Sequence, residues 1–525
     1  IIKSIISFGG PTLISRITGF IRDMLIAFIF GTSFVTDAFL VAFRIPNTFR
    51  RFVGEGTLNP AFIPVLADYL KSKDKEKINL MISTTFTFFT IFVSILVLLA
   101  IIFAKPIVQV LTLNFSNFDA KFFLTVKLLR IIFPYLLFVS LASLMMGVLN
   151  SKKIFWISAS APIALNLSLI LAMVLISPLF GDSTEQKVFG LAVGVLVGGV
   201  LQLLFQLIPV VMKGFKIFPA FNFAHEGFRK VITLMIPAIF GQVIHEVNII
   251  VDTMLAWRVG EGAVSYLYYS TRLMQLPLGV FAIAISTVIL PLLSMNAVEK
   301  KKDDFKKGLF YGMELVLFIM LPASIVLILA GEEIISILFE RGQFNAVSTS
   351  QTYFALIFYG LGLVFIAGVR VIAQAFYAYK DTKTPVKIAV GAMILNIILN
   401  LILVRFLSFG GLALATSISA FMNFSLLIIM LKKKVPEIKW KEDSKVFLKI
   451  TLAAFFMLVT GFGLRFLVNT TGIIFSTNAP LNKIIYLAIF FTLTFIVYVS
   501  SSHILKVKVM KSLMKMMNRK QRTEN

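Results

Sequence analysis

From Ile78 to Ala104 the chain carries no charged side chain. A run of about 20 apolar residues is enough to cross a bilayer core, and runs of this kind recur along the chain. Fourteen stretches read as spans: 5–30, 37–70, 78–104, 122–149, 154–180, 188–212, 231–257, 264–295, 309–330, 352–377, 386–404, 412–431, 446–467 and 484–505. Soluble domains average about 45–50% apolar residues. Here the share is 58%, only 14% of residues are charged, and mean hydropathy is +0.93. Lipid offers the backbone no hydrogen bonds, so apolar spans of this length must be helices. The expected fold class is an all-α polytopic membrane protein with 14 transmembrane helices.

The basic residues are placed between spans. Lys71, Lys73, Lys75 and Lys77 follow the second span, Lys152 and Lys153 the fourth, and Lys213, Lys216, Arg229 and Lys230 the sixth. Lysines follow the eighth, tenth and twelfth spans as well, and the tail after the fourteenth is basic. Odd connections, such as 32–36, 178–186 and 469–482, are poorer in Lys and Arg. Positive loops stay cytoplasmic, so both termini are expected inside. The net charge of +25 thus belongs to span flanks. It is not a nucleic-acid surface, which would interleave aromatics with the cations. The absence of cysteine excludes disulfides and thiolate metal sites. His225, His245 and His503 are too scattered to form a metal cluster. The first apolar stretch reads as a retained helix, not a cleavable signal.

The chain repeats itself. Asp23 precedes Gly31 by eight residues, as Asp252 precedes Gly260, an offset of 229. Arg44 and Arg272 follow these glycines at similar distances, Pro64 and Pro291 lie beyond them, and Asn166 matches Asn396. Six spans per copy is an even number, so the copies enter from the same side as parallel repeats around a central cavity. The expected division is 1–215 and 224–434 for two six-helix lobes, 444–507 for two extra helices, and 508–525 for a basic tail.

Intramembrane charge is costly, about 2.5–3.5 kcal/mol at the bilayer centre, and marks function. Arg16, Arg22 and Asp23 interrupt the first span; Asp37, Arg44, Arg50 and Arg51 lie in the second; Arg272 lies in the eighth. Guanidinium forks bind phosphate oxygens bidentately, which suits a diphosphate. The plainer readings are internal salt bridges for Arg22 and Arg272, and a helix end at the membrane surface for Arg50 and Arg51. Arg44, seven residues after Asp37, is placed to pair with it. Gly54-Glu55-Gly56 interrupts the second span, with Glu55 facing a neighbouring arginine. Asp252, Asn396, Asn400 and Thr416 read more simply as an interhelical hydrogen-bond cluster than as a cation site of hard oxygens. No Walker motif or activated nucleophile is present, so uphill movement needs an ion gradient or the membrane potential.

Arg16-x5-Arg22-Asp23, Gly31-x5-Asp37-Ala38, Pro46-Asn47 with Arg50-Arg51, Gly54-Glu55-Gly56 and Pro64 together resemble the MurJ (MviN) family of lipid II flippases. So do Tyr268-Tyr269-x2-Arg272-Leu273-x3-Pro277, Leu338-Phe339-x-Arg341-Gly342-x-Phe344 and Phe376-Tyr377-Ala378-x2-Asp381-x-Lys383-Thr384-Pro385. The resemblance implies a transporter, not an enzyme. It would move the undecaprenyl-diphosphate-linked disaccharide-pentapeptide outward across the bacterial inner membrane for peptidoglycan synthesis. Arg16, Arg22, Arg50 and Arg272, with Asp23 beside them, would be diphosphate-binding or switch residues. Asp37, Arg44, Arg51 and Glu55 would serve the cavity and its gating. A sodium site found in some members maps onto Asp252, Asn396, Asn400, the Leu412 carbonyl and Thr416, although Asn400 stands where the pattern has Asp. The two last helices would form a groove for the lipid tail. The expected partners are lipid II, membrane lipids and the cell-wall synthesis machinery, with the chain monomeric. Three other readings compete: a cation-coupled multidrug exporter, a non-transporting scaffold for envelope enzymes, and an exporter of another polyprenyl-diphosphate-linked saccharide.

Overall fold

The computed structural model describes residues 2–54, 56–72, 74–115, 119–436, 440–471 and 480–510. Among these no strand occurs. The chain divides into two compact units, Ile1–Ser265 with Arg341–Asn345, and Tyr266–Glu340 with Ala346–Asn525.

The first unit begins with α1 (Ile2–Phe30), α2 (Phe34–Val53), α3 (Leu58–Ser72) and α4 (Lys75–Ile102). It continues with α5 (Ala104–Thr112), α6 (Ala120–Ile132), α7 (Tyr135–Ser151), α8 (Phe155–Leu171), α9 (Thr184–Met212) and α10 (Glu226–Val259). Polar side chains start several of these helices by satisfying free N–H groups. Asp74 accepts from Lys77 N, Asp119 accepts from Phe122 N, and Ser183 forms a capping box with Gln186. Close packing of α9 on α8 and on the short segment after it, which contains Ser177, depends on small residues. A Cβ at Gly190 would lie 2.4 Å from Ser177 Cα, and one at Gly198 would lie 2.6 Å from Leu165 Cδ1. Membrane helices associate through such small-residue faces.

The turn between α1 and α2 receives the segment around Gly342. Gln343 N donates to the Phe28 carbonyl at 2.9 Å. Gly31 and Gly342 both have left-handed φ, +62° and +59°, and a Cβ at Gly342 would sit 2.3 Å from the Phe28 carbonyl oxygen. A left-handed conformation alone costs a side chain about 1–2 kcal/mol. Gly342→Ala is therefore expected to destabilise the protein by at least that amount. Thermal unfolding in detergent checks this; an unchanged melting temperature would refute it.

The second unit holds most of α11 (Ala263–Pro277), then α12 (Ile283–Val298), α13 (Lys302–Leu329), α14 (Gly331–Phe339), α15 (Ala346–Ala378), α16 (Lys383–Leu407), α17 (Phe409–Lys434), α18 (Trp440–Thr471) and α19 (Pro480–Ile504). The extra helices α18 and α19 pack on each other, with Ala453, Ala454, Met457 and Phe490 in a core shared with Leu329. Arg465 on α18 donates to the Leu329 carbonyl at 2.9 Å and Tyr353 Oη at 2.8 Å, while Lys483 on α19 donates to Ser336 Oγ at 2.6 Å.

Asp381 holds the start of α16 through Thr384 N at 3.0 Å and pairs with Lys434 at 2.5 Å. The Lys434 ammonium, then the Thr384 amide, lower its pKa from 3.8 to about 2. A depressed carboxylate adds stability that is complete above its unfolded pKa and is lost as pH falls through the folded one. The stability gap between wild type and Asp381→Asn should therefore be constant from about pH 5 to 8 and close towards pH 2. Melting temperatures across that range check this, and a gap that widened in acid would contradict it.

Ten helices among the described residues are long and apolar enough to cross a membrane; α6 and α7, bent by 40° at their break, make an eleventh if taken together. Three of the expected fourteen spans fall outside this number: 5–30, 37–70 and 231–257. They form helices all the same, α1, the broken pair α2–α3, and α10. Arg16, Arg22 and Asp23 lower the hydropathy of α1, and Asp37, Arg44, Arg50 and Arg51 that of α2, whereas several side chains of α10 lie outside the described residues. The sequence copies and the compact units also divide differently. Helix α10 opens the second copy, yet it belongs to the first unit and packs on α2, α3 and α5. Glu55, most of the basic tail and the side chain of His245 lie outside the described residues.

Candidate functional site

On α1, Arg22 and Asp23 are buried, 9% and 2% exposed. Arg22 Nε and Nη2 donate to Asp23 Oδ1 at 3.0 and 2.6 Å, and Nη1 donates to Asn166 Oδ1 at 2.9 Å. Asn166, on α8, in turn donates to the Ser15 carbonyl at 3.0 Å and to Thr18 Oγ1 at 3.2 Å. Gly19 leaves room for this amide: a Cβ there would lie 3.3 Å from Asn166 Nδ2. Carboxylate and amide thus fix the plane of the guanidinium. Sequence reading marked Asn166 only as a repeat position and missed that it aims Arg22. Arg16, further up the helix, is exposed.

Along α2, polar residues meet α10 and the turn after it in antiparallel order. At the start of α2, Asp37 is fully buried. It accepts from Lys121 Nζ and Gly262 N, both at 2.9 Å, and from Ser265 N and Oγ at 2.9 and 2.6 Å. Lys121 also lies over the Trp257 ring, 4.1 Å from its centroid. Next along the helix, Arg44 donates to Thr253 Oγ1. The expected pairing of Arg44 with Asp37 is corrected here: the Asp37 carboxylate is taken up by Lys121, the Gly262 amide and Ser265 in the first turn of α11. Two turns on, Arg51 Nη1 meets Glu246 Oε1 at 2.5 Å, and Thr48 Oγ1 donates to Glu246 Oε2 at 3.2 Å. Past the end of α2, a Cβ at Gly56 would lie 2.4 Å from the Arg51 carbonyl oxygen and 3.2 Å from Gln242 Nε2. Residue numbers rise on one strand of this ladder as they fall on the other. Arg50 is half-buried beside it.

Lys121, Thr253, Ser265 and Glu246 went unnoticed in the sequence. Lys121 looks like an ordinary flanking lysine, and serines and threonines are common in spans. Glu246 did carry a signal, as a carboxylate inside the apolar run 231–257.

In the second unit, Arg272 Nη2 donates to Tyr268 Oη at 2.9 Å, and its guanidinium stacks 4.7 Å from that ring's centroid. Asn396 and Asn400, 2% and 0% exposed, bond each other at 2.9 Å, and Thr416 Oγ1 donates to the Leu412 carbonyl at 3.0 Å. Amide and hydroxyl oxygens are hard donors that suit sodium. One hydrogen bond joins the two amides, and the fifth residue of the expected set, Asp252, belongs to the first unit.

The family model described as "Lipid II flippase MurJ" matches residues 26–481. This chain belongs to that family. The probable lipid II flippase MurJ of Buchnera aphidicola subsp. Acyrthosiphon pisum (strain APS) is 34% identical over 511 residues, 97% of this chain and 98% of its own length. The Vibrio cholerae serotype O1 relative of the same description is 37% identical over 434 residues, 81% of this chain and 82% of its own. A solved lipid II flippase MurJ in an inward closed conformation superposes with a TM-score of 0.78 at 28% identity, covering 96% of this chain and 99% of that one. An inward-facing multidrug resistance MATE transporter shares the fold at a TM-score of 0.66, with 13% identity, covering 83% of this chain and 99% of that one. Membership in the MurJ family places this chain among multi-pass membrane transporters, and its charged helices α1, α2 and α10 lie within the matched region.

Proposed function

We propose that this chain flips lipid II from the cytoplasmic to the outer leaflet of the bacterial inner membrane by alternating access, as a monomer with cytoplasmic termini. The observation that carries this reading is a set of immobilised cationic groups in a MurJ-family chain, Arg22 above all. Arg16, Arg22 and Arg50 receive the anionic diphosphate, and Arg272 acts on the same anion. Asp37, Arg44, Arg51 and Glu55 serve the gate. Binding of the diphosphate offsets repulsion among the arginines, and its release outside lets the empty cationic protein be drawn back by the inside-negative potential. That potential is worth about 2.3 kcal/mol per charge per 100 mV. The polyprenyl tail stays in lipid or in an apolar groove. One such cavity, of about 590 Å³, is lined by Met313, Phe365, Phe424 and, from α18, Phe447.

Sodium on Asp252, Asn396, Asn400, the Leu412 carbonyl and Thr416 would add to the driving force. Flipping in liposomes with sodium replaced by potassium tests this: a fall in rate supports the ion, and an unchanged rate leaves the potential alone.

A multidrug exporter would need an acidic or aromatic cavity for cationic drugs, and the arginines argue against it. The deciding experiment is complementation. A bacterial host is depleted of its flippase, this chain is expressed, and lipid II is followed at the outer leaflet. Rescue supports the proposal. Failure of well-expressed, compatible protein moves the substrate to another polyprenyl-diphosphate-linked saccharide.

A further inference from the structure

Glu246 stands inside α10 with 1% of its surface exposed. A carboxylate that deeply buried needs a cation close by. Among the described residues its ion partner is Arg51, whose side chain keeps 42% of its surface exposed against 2% for that of Glu246. The pair is lopsided: the acid is sealed in, while the guanidinium has an open side. Thr48 supplies the other hydrogen bond to the carboxylate. The contact lies at the C-terminal end of α2, where Gly56 is pressed between the Arg51 carbonyl and Gln242, one turn before Glu246.

We propose that Glu246 is a positioning residue that competes with the substrate's diphosphate for Arg51. The proposal rests on the transport reading above. With no anion present, Glu246 holds the guanidinium and ties the end of α2 to α10. An incoming diphosphate offers two or more charged oxygens to the same planar fork and displaces the single carboxylate. The contact between α2 and α10 is released in the same event. Glu246 therefore sets a threshold. A carboxylate lipid, with a single charge, gains too little from Arg51 to displace it, and a diphosphate succeeds.

The test uses full-length protein in nanodiscs, with a short-chain prenyl diphosphate as the probe and a carboxylate of matching chain length beside it. Glu246→Gln removes the competing charge and keeps the side chain's size. It should bind the diphosphate about 10-fold more tightly, narrow the preference over the carboxylate, and slow lipid II turnover because release is impeded. Thr48→Val removes the second donor to Glu246, which strengthens the carboxylate's hold on Arg51, and should bind the diphosphate several-fold more weakly. Arg51→Gln with Glu246→Gln should match Arg51→Gln alone. A merely structural brace would shift both single variants the same way, in step with their melting temperatures. That outcome, or wild-type affinity in both, overturns the proposal. If Glu246→Gln does not fold, Thr48→Val decides by its sign. Absence of diphosphate binding in the wild type would instead refute the transport reading itself.

Discussion

Arg22→Ala is expected to slow lipid II translocation by at least about 100-fold, a loss of about 3 kcal/mol. Removing one partner of a buried ion pair costs about 3–5 kcal/mol, because the other charge is left without compensation. Here that other charge is Asp23, 2% exposed. The substrate also loses the guanidinium that Asp23 and Asn166 hold in place. Arg22→Lys separates these effects. An ammonium still neutralises Asp23 but is a point charge without the planar fork, so it cannot hold Asp23 and Asn166 and also present two parallel donors to a diphosphate. The lysine variant should stay folded and flip about 10-fold more slowly. Proteoliposome flipping assays with matched protein amounts check both. Normal transport by Arg22→Ala would remove Arg22 from the mechanism and leave its network as a helix-packing device.

Asp37→Ala should have the largest effect on stability. The carboxylate accepts from Lys121, from the Gly262 amide, and from both the amide and the hydroxyl of Ser265. Its loss strands a buried lysine and leaves donors of the α10–α11 turn unsatisfied. About 3–5 kcal/mol is expected for the ion pair, enough to lower the melting temperature sharply and to reduce the amount of protein in the membrane. Asp37→Asn keeps acceptor capacity on one oxygen only and should fall between. Lys121→Met combined with Asp37→Leu should recover part of the loss, since two apolar groups replace a charge pair with little penalty. A double variant no more stable than Asp37→Ala would show that the turn amides, not the ion pair, dominate.

Much of the architecture could be read locally. Hydropathy is a property of short windows, so the charge-free third span and the basic even connections stood out without knowledge of any neighbour. The break in the second span followed from its glycines, and the structure parts α2 from α3 there. Arg22 and Asp23 were legible as a pair because they are adjacent. Their third member, Asn166, lies 144 residues away from Arg22, and no local signal joins it to them.

By itself, then, the sequence determined which segments enter the membrane, where charge is carried into it, and which family's motifs recur along the chain. Tertiary structure decided which partner each buried charge takes. Spacing along α2 offered Arg44 to Asp37; packing gave Arg44 to Thr253 and Asp37 to Lys121 and Ser265 instead. The reason is physical. Helical periodicity says which face a residue occupies but not which helix lies against that face. A buried charge is settled by whichever complementary group the lateral packing of helices brings within hydrogen-bonding distance.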